Sequence, residues 1–436
     1  MAVIGGGWAG CAAAAELAAQ GASVILLEAS EELGGRARRV PLMLAGHPHV
    51  LDNGQHLLLG AYTETAALFR LIDAAVDVVI ERRPFGLHYP DGFSLRAARL
   101  PAPWHLAIAL LFARGLSVAD RCAMIAFLRT LDRTRWNVGD DRSVTEWLLN
   151  HAQPATVVRR IWRPLALASL NTPLDRASAQ IFANVLRDSL GAGSGASEMW
   201  LPRADLSALL PDAVERYLST RGGEVLREAR VERIIRRDRF HLQLRNESAA
   251  AIQADAVCYA APAGYLQRIV GPCDALASVF ETVSRFEYEP IYTVYLKYTA
   301  DVRIARGFTS LLDDPAKRRY AQWVFDRGAL DQNNRGVLAA IISGSGAHEA
   351  ESIEEVCQAV AAQLTAELDL PTVLDCRAIA ERRATLAALP DLKRPANRTP
   401  WPGFVLAGDW TESGYPSTLE TAVSSGRAAA RAILGA

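Results

Sequence analysis

The chain has 436 residues, 50% of them hydrophobic, enough for about two or three domains around sizeable cores. Its formal net charge is −1 at pH 7, from 47 Lys and Arg against 48 Asp and Glu. That balance excludes a nucleic-acid binder working through overall attraction.

The first predicted strand is Ala2-Val3-Ile4, followed by Gly5-Gly6-Gly7-Trp8-Ala9-Gly10 and an Ala-rich helix to Ala19. Gly5, Gly7 and Gly10 fit the G-x-G-x-x-G dinucleotide fingerprint. Gly5 allows the tight turn, Gly7 admits a pyrophosphate, and Gly10 lets helix pack on strand. The helix N-terminus offers free N–H groups to phosphate. A second strand, Ala22–Leu27, ends at Glu28, near the spacing expected of a ribose-binding acid. The fold is therefore expected to begin at residue 2, with no leader.

Residues 85–195 change character: apolar residues recur at helical spacing, tryptophans appear, and strand signals are few. This predicts a helical insertion, closed by the loop Gly191–Gly195. A helix is predicted over Asp205–Tyr217, then strands at Val225-Leu226, Ala229–Ile235, Phe240–Leu244 and Asp255–Pro262. Pro290–Tyr298 opens a second strand-containing region, and Ser352–Leu368 reads as an amphipathic helix. The end of the chain repeats the pattern of its beginning, with a strand at Phe404–Ala407, then Gly408-Asp409, then a helix from Thr418 to Leu434. That return implies one domain built from both ends plus a middle piece, and another assembled from two insertions.

Six scattered cysteines without a C-x-x-C pair are the pattern of reduced thiols in a cytoplasmic protein. The longest apolar run, Leu106–Ala113, is too short to span a membrane. The stretch Arg99–Leu131, apolar and edged by Arg99, Arg114, Arg121 and Arg129, fits either a peripheral membrane contact, at the inner face of the cell membrane, or a helical cap over a pocket. His47-Pro48-His49 lacks partner ligands at metal spacing and reads as a surface turn, so no metal site is expected.

Two further constellations carry chemistry. Gly34-Gly35-Arg36 combines close backbone approach with a cation suited to phosphate oxygens. Gly408-Asp409 follows a buried strand at its carboxyl end, where open α/β sheets bind ligands, and the helix start at Thr418 aims N–H groups at an electron-rich ring edge.

With the fingerprint at Gly5, these sites resemble the FAD-dependent amine oxidase and phytoene desaturase superfamily. The resemblance implies an α/β fold: a Rossmann-like FAD-binding domain of the GR2 type (1–80, 197–270 and 396–436) with a discontinuous mixed α+β substrate domain (81–196 and 271–395) that includes a helical cap. It implies FAD as cofactor. Gly5, Gly7, Trp8 and Gly10 would form the pyrophosphate turn, Glu28 would bind the adenosine ribose, and Gly34, Gly35 and Arg36 would form the second glycine motif. Val231 would hold adenine through its backbone, and Gly408 and Asp409 would bind the ribityl-phosphate side. Thr418 and Leu419 would face the flavin pyrimidine edge. The chain has Glu420-Thr421-Ala422 where many relatives have Glu-Gly-Ala, which alters the packing expected there.

The run Leu51-Asp52-Asn53-Gly54-Gln55-His56 with Leu57–Tyr62 is similar, more narrowly, to the bacterial hydroxysqualene dehydroxylases. That implies reduction of an allylic alcohol to squalene, in hopanoid or triterpene supply, with loss of water and hydride from the reduced flavin N5. The partner would be a long apolar isoprenoid, with electrons from NADPH or a separate reductase. Gly54 would stand near the flavin, and loss of hydroxide calls for a proton donor. His56, Asp52 and Tyr415 are the candidates; His56 fits equally a histidine that orders its loop. A polyprenyl desaturase, an amine oxidase and a non-catalytic flavin- or lipid-binding module stay open. The amine oxidase is disfavoured because Ile291 stands where that branch often carries a lysine, and Lys297 falls near the far end of the strand.

Overall fold

The structure is a computed structural model and describes residues 1–100, 104–245 and 251–435. Residues 101–103, inside the arginine-edged stretch, lie outside the described residues.

Five three-residue strands form a parallel sheet in the order Glu224–Leu226, Ile25–Leu27, Ala2–Ile4, Val257–Tyr259 and Phe404–Leu406. Ala2 registers with Ile25 on one side and Val257 on the other; Val257 registers with Phe404. The two ends of the chain thus sit in one sheet. Successive side chains point to opposite faces. Val3, Leu26, Cys258 and Val405 pack under the helices Trp8–Ala19, Pro211–Ser219 and Leu419–Leu434. Ala2, Ile4, Val257 and Tyr259 pack instead against Phe240 and Leu242 of a three-stranded antiparallel sheet, and against Val279 and Phe280. Cover on both faces is why the four strands other than the edge strand Glu224–Leu226 are apolar throughout rather than alternating.

The opening and closing helices approach closely. The opening helix presents Ala12–Ala15, all fully buried, and the closing helix presents Gly426, whose Cβ would overlap the Ala9 carbonyl oxygen. Arg427 of the closing helix donates to Glu16 and Glu64, both at 2.8 Å, and ties the pair to the helix Thr63–Leu71.

A five-stranded antiparallel sheet, the other large one, runs Phe308–Ser310, Trp323–Asp326, Val337–Ser343, Tyr288–Lys297 and Asp375–Leu386. Alternation again sorts its residues. Tyr292, Val294, Leu338 and Ala340 pack under the helix Ile353–Leu368, capped by Ser352. Tyr295, Phe325, Ala339 and Ile341 face the helical region, whose centre is the aromatic cluster Phe127, Trp147, Trp162 and Phe182.

Several sequence expectations are corrected. The region after residue 80 is not purely helical: Ile80–Arg83 pairs with Met199–Pro202, and Gly86–His88 forms a hairpin with Ser94–Arg96. Those strands are too short for a clear alternation to register. The helix expected over Asp205–Tyr217 is two: Asp205 caps Leu206–Leu209, and Pro211, which has no N–H to give, opens a new helix. His47 and His49 lie in a strand, His47–Asp52, rather than a surface turn, and His49 is buried with Nδ1 2.9 Å from Asn334 Oδ1.

Gly426→Ala is expected to lower stability by ~1–3 kcal/mol, the usual cost of forcing a methyl into a packed contact. Thermal unfolding of the purified protein, followed by circular dichroism, reads it directly.

Candidate active site

One cavity of about 1130 Å³ runs between the two sheets. It exceeds the ~300–1,000 Å³ usual for a single small-molecule pocket. One part is lined by the glycine turns and charged groups of the parallel sheet's carboxyl edge. The other is apolar, walled by Phe85, Phe182, Leu186, Phe308, Phe325 and Ile341.

The glycine turns hold each other. Gly5, at φ +103°, donates to the Leu27 carbonyl at 2.7 Å, and a Cβ there would come within 2.8 Å of the Ala260 oxygen. Gly34, at φ +109°, donates to the Gly6 carbonyl at 2.8 Å, and Gly7 bridges Gly34. Gly7 differs in kind: the nearest protein atom to a Cβ there is Gly35 Cα at 3.9 Å. Protein packing does not require Gly7, but a ligand backbone lying on the turn does. Gly10 does not line the cavity; a Cβ there would overlap the Gly5 oxygen, so it keeps strand and helix together. Trp8 lines the cavity, and its Nε1 donates to Ala37 O at 3.1 Å, stapling the second glycine turn to the opening helix.

Glu28 is buried at the end of its strand, where its carboxylate accepts from Gly6 N at 2.7 Å and Ser30 N at 2.8 Å. Val231 lines the same cavity. Gly408 and Asp409 line it too, and Asp409 Oδ1 lies 2.6 Å from Arg36 Nη2. Asp409 keeps the Arg36 guanidinium firmly charged by its proximity and hydrogen bond, against the desolvation that burial imposes. Thr418 caps the closing helix, accepting from Thr421 N at 3.2 Å, and Leu419 follows as its first residue. The first amides of a helix have no acceptor within it and serve a ligand placed there. Thr421, at the position where a glycine was expected, is buried and donates its hydroxyl to Pro416 O at 2.7 Å. It stiffens the turn that leads into the helix.

Of the three candidate proton donors, the structure places two on the cavity and one off it. His56 lines it: its Nδ1 donates to Gly54 O at 2.6 Å, leaving Nε2 without a protein partner among the described residues. Burial lowers its pKa below the ordinary 6.5, helped by Arg36 and opposed by the Gly54 carbonyl. Tyr415 also lines the cavity, but its hydroxyl donates to Asp188 and accepts from Arg187 at 3.0 Å. Burial and Asp188 raise its pKa, so it holds its proton more tightly than an ordinary tyrosine.

Asp52 is the correction. Its carboxylate turns away from the cavity, accepting from Leu206 N at 2.8 Å and facing Arg327 Nη2 at 3.9 Å, with both side chains 2% exposed. Desolvation raises its pKa to about 6, partly offset by Arg327. Arg327 in turn donates to Gln55 Oε1 at 2.9 Å, and Tyr295 donates to the Asp52 carbonyl at 2.8 Å. Asp52 therefore positions the 53–57 loop from beneath. Neither Arg327 nor Asp188 stands out in the sequence. Asp188 sits in a π-helical turn, Arg187–Gly191, which no apolar period announces.

Lys297 donates to Arg335 O at 2.7 Å and does not line the cavity, whereas Ile291 does.

A parallel sheet with glycine turns at its carboxyl edge, opening into an apolar chamber under an antiparallel sheet, is the fold of a flavoprotein oxidoreductase. The chain belongs to the flavin containing amine oxidoreductase family, whose pattern it matches over residues 8–434. Among curated proteins it is 24% identical to the hydroxysqualene dehydroxylase of Zymomonas mobilis, over 98% of this chain and 97% of that one. It is 29% identical to that of Rhodopseudomonas palustris, over 100% and 98%. The 15-cis-phytoene desaturase of an Oncidium hybrid is 23% identical over 99% of this chain and 77% of its own. Among solved structures, an oxidoreductase from Methanosarcina mazei superposes with a TM-score of 0.77 at 15% identity, covering 98% of both chains. Cyclohexylamine oxidase from Brevibacterium oxydans gives 0.68 at 19%, over 100% and 98%. The protein is an FAD-dependent oxidoreductase. The residues present fit that coenzyme: a glycine cradle open to the cavity at Gly7, an acid at Glu28, and a capped helix N-terminus at Thr418.

Gly7→Ala is expected to fold with an unchanged melting temperature when free of coenzyme, yet to retain FAD at least about tenfold more weakly. Flavin absorbance after dialysis, set beside the melting curve of the stripped protein, checks both halves.

Proposed function

We propose that this enzyme reductively removes the hydroxyl of an allylic isoprenoid alcohol, with hydroxysqualene as substrate and squalene as product. The observation that carries this reading is a shared cavity: an apolar chamber fit for a long hydrocarbon is continuous with the space that His56 lines, and its Nε2 has no protein partner among the described residues. Full-length similarity to hydroxysqualene dehydroxylases supports the substrate class. The want of a lysine at the cavity, with Ile291 in its expected place, weighs against amine oxidation.

The bound flavin, once reduced, supplies the hydride. The chain's own residues do the rest. The apolar walls hold the hydrocarbon and keep water from the allylic carbon. The Gly54 carbonyl fixes the tautomer of His56, so that Nε2 faces the cavity bare when neutral. Protonated, Nε2 gives its proton to the departing oxygen, which leaves as water. The allylic C–O bond breaks, its oxygen leaves as water with the proton from Nε2, and the hydride would form the new C–H bond, so that one proton and one hydride replace one hydroxyl. The Asp52, Arg327 and Gln55 network keeps the loop, and with it His56, in place. The division into a coenzyme part (1–80, 197–270, 396–436) and a substrate part (81–196, 271–395) belongs to the same reading. We move one boundary, because Leu276, Val279 and Phe280 pack with the parallel sheet.

Reduced enzyme incubated anaerobically with hydroxysqualene is expected to yield squalene. Failure to do so, with conversion of a polyprenyl hydrocarbon by the oxidised enzyme instead, transfers the assignment to the desaturase reading that other relatives favour.

The pH dependence follows from His56. Its pKa lies below 6.5, so between about pH 6.5 and 8 the acid form falls about tenfold per unit, and single-turnover dehydroxylation falls with it. His56→Gln should be about 10²–10⁴-fold slower and flat over that range. Equal slopes in both proteins would remove His56 from the role.

A further inference from the structure

The helix Trp104–Leu111 contains no Asp, Glu, Lys or Arg and is apolar on two sides. Its inner side is used. Ala109 and Leu110 are buried in the helical core, His105 is buried beside them in the same helix, and Leu190, a residue that lines the cavity, packs on that core. Its outer side is not. Trp104 is 63% exposed and Leu111 62%; Phe112, next in the chain, is 73% exposed, and Val118 72%. Trp104, Ala107, Ile108 and Leu111 recur at i, i+3, i+4 and i+7, the spacing of a single face. The next helix, Val118–Arg133, continues with Val118, Cys122 and Ile125 at i, i+4 and i+7, all exposed. Isolated apolar residues on a surface are ordinary, but a contiguous set marks a contact.

The charge around this face is one-sided. Residues 92–131 hold five arginines (Arg96, Arg99, Arg114, Arg121 and Arg129) and one acid, Asp120, in a chain whose net charge is −1. Asp120 is consumed in the capping box with Ser117. Arg121 is consumed too, donating to Leu110 O at 2.9 Å and Ala113 O at 2.8 Å. The other four arginines are exposed. The nearest further acids are Asp91, which is paired with Arg160, and Asp132, so unpaired cations still outnumber acids beside the apolar helix, a composition suited to an anionic lipid surface.

We propose that this face is the docking surface for an anionic phospholipid bilayer. Trp104, Leu111, Phe112 and Val118 enter the acyl boundary, and Arg96, Arg99, Arg114 and Arg129 meet the phosphates. The helix is eight residues long and lies in the interface without crossing it. Its inner side shares a hydrophobic core with Leu190, which lines the cavity, so the docked face lies on the chamber's helical wall. The docking itself rests on the surface and not on which isoprenoid is reduced.

The test is flotation of the full-length, FAD-loaded protein with vesicles of phosphatidylglycerol and phosphatidylcholine, or of phosphatidylcholine alone. The protein should float with the anionic vesicles, and less so in about 1 M salt, where the Debye length is ~3 Å. The double variant Leu111→Ser/Phe112→Ser should bind at least about tenfold more weakly, with its flavin spectrum and melting temperature unchanged, since both residues are exposed. Arg99→Glu/Arg114→Glu should lose the preference for anionic lipid. Wild-type protein that stays at the bottom with both vesicle types overturns the proposal. So does a concentration-dependent dimer in sedimentation that the Ser variant abolishes, which would give the face to a second copy of the chain. Neither outcome bears on whether hydroxysqualene is reduced, because no turnover is read.

Discussion

The close packing of the opening helix on the closing helix governs everything else in this protein. Gly426 gives the Ala9 backbone room to approach, and Arg427 locks the contact through Glu16 and Glu64. Because both helices pack on one face of the same parallel sheet, fixing them side by side also fixes their N-termini. The glycine turn at Gly5–Gly7 and the Thr418 cap consequently open on the same cavity. Without that contact, Glu28 and the distant Asp409 would not line one cavity.

The two sheets divide the chemical labour. The parallel sheet concentrates backbone amides and charges where its strands end, and so suits a charged coenzyme. The antiparallel sheet and the aromatic helical region contribute mainly carbon to the cavity. In such surroundings a polar group has to be held by the protein itself. Arg36 has Asp409, His56 has the Gly54 carbonyl, Tyr415 has Asp188, and Arg327 has Gln55. His56 Nε2, by contrast, has no protein partner among the described residues, and the proposed dehydroxylation uses it as the proton donor.

Much of the coenzyme end is legible in the sequence because its signals are local. Glycine spacing, a buried strand before it and an acid after it all fall within Ala2–Glu28, and the turn geometry leaves few other residues that would serve. The C-terminal return at Phe404–Asp409 is legible for the same reason. Legibility ends where a side chain's direction is decided by distant residues. Asp52 stands two positions before Gly54, yet Leu206 and Arg327 draw its carboxylate to the other side of the loop. His49 reads as superficial because the residue that covers it, Asn334, is remote in the chain. Asp188 is hidden because a π-turn shifts the helical phase that periodicity relies on. The helix break at Pro211 is legible in principle, since proline there has no amide to give, but the apolar period on either side masks it.

The strand Phe404–Leu406 and the helix Leu419–Leu434 have a consequence for biosynthesis. Ala2–Ile4 leaves the ribosome long before Phe404–Leu406 and Leu419–Leu434, the segments that complete the cavity beside it. For most of synthesis the glycine turn has no far side to close against, and this contact spans nearly the whole sequence. A cleft able to hold the coenzyme is thereby expected only once Leu419–Leu434 has been made, so bound yellow flavin would report that synthesis had passed this helix.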